Sequence, residues 1–150
     1  MSVDELLREF GSRSGLGSLA RNREGVCRLV FNGGLIVDIE AQDRAPDLHI
    51  TATVGPLSLD ASTGLLRSLL AANLMIRENG GAALALDLNR DEIVLHRQLP
   101  LEGLGYAVFE RNLEAFLNHL ERCRGLLDGA ATGTQTTLIG DSGGLNRIRV

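Results

Sequence analysis

The string GDSGG at positions 140–144 holds the serine of this chain most suggestive of catalysis, because it is similar to the nucleophile segment of trypsin-like proteases. A serine becomes a nucleophile only with a histidine as base, an acid to orient it and donors for the oxyanion. That fold needs two β-barrels with a His and an Asp placed upstream in context, and here Ser142 lies in a Gly-rich segment. No helix can be built after it, so a strand-to-helix nucleophile elbow fails as well. The string reads as a coincidence.

Other chemistry-bearing residues are scattered. His49, His96 and His119 belong to no H-x-x-x-H or H-E-x-x-H pattern. Cys27 and Cys123 form no close-spaced motif, and one possible pair is too few for a disulfide framework; both are expected free, buried and reduced. Cys27 and His49 could meet on neighbouring strands, yet two ligands without a third make no persuasive zinc site. Asp38 and Glu40 share one side of a strand and Asp87, Asp91 and Glu92 crowd a hairpin, where carboxylates solvate an edge more often than they perform acid–base work. The glycine pairs at 33–34 and 80–81 match neither a dinucleotide fingerprint nor a P-loop. The reading is a protein that is not an enzyme, with no metal and no cofactor.

The bulk properties agree. The 150 residues, 44% hydrophobic and 23% charged, suit one globular domain with a real core. A net charge of −4 gives no positive field for nucleic acid or an anionic membrane, and four Phe, one Tyr and no Trp leave few stacking platforms. Nowhere do about 18 apolar residues run together, so a soluble cytosolic protein is expected.

The elements that must position any function are legible from periodicity. Ser2 and Glu5 form a capping-box pattern ahead of Val3, Leu6, Leu7 and Phe10 on one helical side, with the end expected near Arg13. VCRLVF (26–31) and LIVDIE (35–40) flank NGG as a hairpin, and LHITATV (48–54) alternates as a third strand. Asp60 can cap a second helix that ends at Asn79–Gly81. AALALDL and EIVLHRQL form a second hairpin around Asn89–Asp91, and a long helix from Leu104 to Leu127 carries Tyr106, Phe109, Leu113, Phe116, Leu120, Cys123 and Leu127 on one stripe. This is an α/β (α+β) chain in the order α-β-β-β-α-β-β-α, an antiparallel twisted sheet of about five strands with three helices. The domain spans 1–128, and 129–150 is expected to be a flexible or loosely docked tail.

The second helix has too much to hide. Leu65, Leu66, Leu69, Leu70, Leu74 and Ile76 spread over about half its circumference, with Asn73 in that arc. Behind them stand Ser68, Ala71, Ala72 and Met75, with Arg67 the only charge before Arg77. A wide leucine face with a small, uncharged back suits a helix packed from both sides, and a second copy across a two-fold axis is the simplest second cover. A homodimer is therefore expected, through Leu65, Leu66, Leu69, Leu70, Ala71, Ala72, Asn73 and Met75 with Leu84 and Leu86 of the following strand. The competing reading is a helix covered wholly within one monomer, by the tail or the last helix. In either case Asn73 must find hydrogen bonds.

LLREFGSRSGL (6–16), GVCRLVFN (25–32), LHITATVGPL (48–57), LLRSLLAANL (65–74), GGAALALD (80–87), IVLHRQLPL (93–101) and FERNLEAFL (109–117) follow one another along the chain. In this order the sequence resembles the class I type III secretion chaperones, the Tir-chaperone family, over about residues 3–125. The LL-x-x-LL-x-x-N helix before a glycine-led strand and the G-x-C-x-L-x-F strand are the most specific pieces. The resemblance implies a homodimeric chaperone without ATPase activity in the cytoplasm of a Gram-negative bacterium. Its partner would be a secreted effector held partly unfolded through a segment near that protein's N-terminus and presented for export, with the secretion ATPase as a further partner. Apolar patches for that client are expected among Leu6, Phe10, Leu16, Leu19, Leu29, Phe31, Val37 and Ile39, some of which must be core because a strand offers only alternate residues to each face. Leu16 and Leu19, in a Gly-rich loop, carry the most weight. A regulatory binding module of the same fold, sequestering a secretion regulator, is the alternative.

Overall fold

The computed structural model describes residues 2–42, 44–74 and 80–131. The expected element order is observed: α1 (Val3–Ser14), β1 (Val26–Phe31), β2 (Leu35–Glu40), β3 (Asp47–Pro56), α2 (Thr63–Ala72), β4 (Ala83–Asp87), β5 (Glu92–Pro100) and α3 (Tyr106–Ala131). The strands form one antiparallel sheet in the order β1-β2-β3-β5-β4. Both edges are therefore known: β1 on one side and β4 on the other.

Strict alternation sends one face of the sheet inward. Cys27, Leu29 and Phe31 stand opposite Ile39, Val37 and Leu35, and all six are buried. The row continues through Leu48, Ile50, Ala52 and Val54 to Ile93, Leu95 and Leu99. Onto it pack Leu6, Leu7 and Phe10 of α1 and the α3 stripe, with Phe10 and Phe109 meeting edge to face at 5.9 Å and 86°. The opposite face keeps His49, Thr53, His96 and Gln98 in water, so the domain is two layers thick.

Local chemistry explains the boundaries. The Ser2–Glu5 capping box closes α1 at its start, and Gly15 ends it in the left-handed conformation. Three expectations are corrected. Ser62, not Asp60, caps α2, its hydroxyl accepting from the Leu65 N–H at 3.1 Å, because Asp60 is held by the Ser58 hydroxyl instead. α2 ends at Ala72, where the Asn73 side chain turns to β4, short of the expected Asn79, which itself lies outside the described residues. α3 runs on to Ala131, past the expected end at Leu127. The GDSGG string, and the tail from residue 132, lie outside the described residues.

Candidate functional site

The ten residues of α2 carry two apolar stripes. One, formed by Leu65 and Leu69, faces the core, and Leu69 is 5% exposed. The other, continued by a residue two past the helix end, is Leu66, Leu70 and Leu74, spaced four apart and 41%, 72% and 81% exposed. Ala71 is exposed, while Ala72, Asn73 and Leu84 are half-buried. Leu86 of β4 and Leu88 of the turn after it are exposed beyond it, as is Val108 of α3. Among the described residues, α2 packs on α3 and β4. Of the residues expected at a subunit contact, Leu69 belongs to the core, Leu65 is half-buried against it, and Met75 lies outside the described residues.

Asn73 finds its partners on the edge strand. Its Nδ2 donates to the Leu84 carbonyl at 3.2 Å, and its Oδ1 accepts from the Leu84 N–H at 2.8 Å. At the other edge of the sheet Asn22 does something similar. Its side-chain oxygen accepts from the Val26 N–H at 3.0 Å and its own N–H donates to the Val26 carbonyl at 2.8 Å. Backbone groups in an antiparallel ladder alternate in direction, so those of Arg28 and Val30 point outward like Val26's. Beside them the Val30 side chain sits directly across from Ile36 on the open face, 51% and 46% exposed. Arg28 forks onto Asp38 with two 2.7 Å bonds. Sequence reasoning passed over Val30 and Ile36, although each is apolar at a position whose strand parity faces water.

The α1–β1 connection lies next to this edge. Leu16 and Leu19 are half-buried against the core, and Gly11 lets the loop cross α1 closely. Arg21 reaches back to Asp4 with bonds of 2.8 and 2.9 Å and also donates to the Ala41 carbonyl. An open polar cleft of about 690 Å³ results, lined by Arg8, Leu19, Arg21, Arg23 and Glu24 among others. The remaining client candidates are a correction. Leu6, Phe10, Leu29, Phe31, Val37 and Ile39 are at most 4% exposed, because their stripe and strand parity fill the space between α1, α3 and the sheet. As folded they offer no surface to a partner.

The cysteines and histidines stand apart from these surfaces or lie in the core. Cys27 and His49 point to opposite faces of the sheet with β2 between their strands, so they do not meet. Among the described residues no three His, Cys, Asp or Glu side chains are grouped to hold a metal ion. His119 and Cys123 are buried neighbours on α3, Sγ lying 3.6 Å from Nε2. Burial pulls the His119 pKa down to about 4 and pushes the Cys123 thiol up to about 11, so imidazole and thiol are both neutral near pH 7.

Residues 5–124 match the Tir chaperone protein (CesT) family. The chain belongs to that family. Its curated relatives include a Chlamydia pneumoniae protein, 30% identical over 79% of this chain and 91% of that one. The Tir chaperone of Escherichia coli O157:H7 is 26% identical over 77% of this chain and 73% of its own. Among solved structures, the ExsC-ExsE complex contains a similar chain at TM-score 0.68 and 27% identity, covering 83% of this chain and 92% of that one. The HopA1-SchA chaperone-effector complex matches in fold at TM-score 0.69 and 20% identity, over 81% and 91%. The family consists of type III secretion chaperones, which bind effectors.

Proposed function

We propose that this chain is a homodimeric cytoplasmic chaperone of a Gram-negative type III secretion system. It binds a segment near the N-terminus of a secreted effector, keeps that segment partly unfolded and presents it for export, with the secretion ATPase as the receiving partner. It acts without catalysis. The observation that carries the reading is the β1 edge, where outward backbone groups at Arg28 and Val30 lie beside the exposed Val30–Ile36 pair and the Leu16–Leu19 loop. An extended segment can add there as a strand and set apolar side chains against the patch. The outer stripe of α2 supports the dimer, since each leucine buried there contributes about 1.5–3 kcal/mol. No described helix is long and apolar enough to cross a membrane.

The test is affinity capture from the native host by the intact protein and by a Val30→Asp/Ile36→Asp variant. The expected result is a protein that the secretion system exports, captured through its N-terminal segment and lost from the variant. Capture of a non-exported regulator through the same edge would replace the export role with the sequestering one. Equal capture by both proteins would remove the β1 edge from the site.

A further inference from the structure

A terminal strand is an invitation to pair, because its outward N–H and C=O groups await partners. In β4 the outward residues are Leu84 and, two further on, Leu86; these stand opposite Leu95 and Ile93 of β5. Both outward groups of Leu84 are already taken, each by one end of the Asn73 amide. A side-chain amide has one face that donates and one that accepts, as a peptide unit has, so it can stand in for one residue of a neighbouring strand. The residue after α2 thus occupies the second position of a five-residue strand. What is left outward is Leu86, too little ladder for another strand to grip.

We infer that Asn73 is an edge-blocking residue, which closes β4 to strand addition and leaves the outer leucine stripe of α2 as the means of association at this end of the sheet. A second copy must then meet α2 side chain to side chain, and the two sheets do not join through β4. A client strand is likewise excluded from β4 and directed to β1. The consequence for a second copy rests on the homodimer reading; the closure of the edge does not.

Amide hydrogen exchange by NMR on the full chain tests this in three proteins: the natural sequence, Leu70→Asp, and Leu70→Asp/Asn73→Ala. Leu70→Asp places a charge on an exposed site of the outer stripe and is expected to sediment as a monomer; if it stays dimeric, the α2 dimer fails while the edge remains testable. In the Leu70→Asp protein the Leu84 amide should exchange more slowly than the Leu86 amide. It should also exchange at least about fivefold more slowly than in the double variant, the scale of one lost hydrogen bond. With Leu70 intact, Asn73→Ala should yield assemblies heavier than the natural protein through the opened edge. Leu84 exchanging as fast as Leu86 in Leu70→Asp overturns the inference even if the alanine variant does not fold. Equal Leu84 rates with and without Asn73 overturn it directly.

Discussion

Gly81 lies so close to the guanidinium of Arg97 that a Cβ at position 81 would come within 1.2 Å of Nη1. Arg97 sits on β5 with Nη2 donating to Asn112 at 3.1 Å, while its buried Nε has no partner among the described residues. Burial lowers its pKa from the usual arginine value. Gly81 also has φ +76, a conformation that costs an L side chain about 1–2 kcal/mol. Gly81→Ala should therefore destabilise the protein by about 2 kcal/mol, combining that strain with displacement of Arg97. In Gly81→Ala/Arg97→Ala only the strain remains. Urea unfolding of the four-protein cycle should show a sum too large by about 1 kcal/mol, the coupling expected of residues in contact.

The outer stripe of α2 makes a separate prediction about association. Leu70→Asp or Ala71→Glu alters an exposed site of the protomer, so circular dichroism should be unchanged. Buried across a two-fold axis, the same unpaired charge would cost about 3–5 kcal/mol and dissociate the pair. Sedimentation equilibrium reads the outcome, and a fully dimeric variant removes α2 from the interface.

Gly11 controls the loop beside β1. Its absent side chain leaves room for the Gly17 carbonyl, which a Cβ would approach to 2.1 Å, and for Leu19 at 3.0 Å. Alanine is the better helix former, by about 1 kcal/mol at most. Overpacking against backbone costs about 1–3 kcal/mol, so Gly11→Ala should lower stability on balance. Because Leu16 and Leu19 ride on the displaced loop, titration calorimetry with a client's N-terminal segment should show weaker binding too. Unchanged affinity in a destabilised variant would separate the loop from the client surface.

Acid should weaken the fold before ordinary carboxylates titrate. Burial, aided by the Arg122 charge, lowers the His119 pKa from 6.5 to about 4. Between these values the unfolded chain takes up a proton that the folded chain refuses, so stability present above pH 6.5 is lost as pH falls toward 4. The full shift corresponds to about 3 kcal/mol. Asp4, held below its usual range chiefly by its bond from Arg21, contributes its own loss only at lower pH. Urea midpoints measured from pH 7.5 to 5 should fall for the natural protein and flatten for His119→Leu.

Periodicity was sufficient wherever one face of an element meets the core. Cys27, Leu29 and Phe31 alternate and Tyr106, Phe109, Leu113 and Phe116 step by three and four; these patterns are local, and burial follows from them. The same parity puts Val30 and Ile36 on the water side, a signal the sequence reading did not use.

What periodicity could not separate is a core stripe from a surface one when both are leucine. Leu69 and Leu70 are neighbours in sequence, yet one is 5% exposed and the other 72%, because Leu69 packs into the core while Leu70 points away from it. The eight client candidates failed to separate for the same reason: six are core and two are half-buried. Edge positions were equally hidden, since strand order is set by pairing between distant segments and placed β1 and β4 outermost. The sequence alone determined the elements, their inward faces and the family. Only tertiary packing decided which apolar faces stay open and that Asn73 spends both ends of its amide on Leu84, because those depend on what lies across space from each residue.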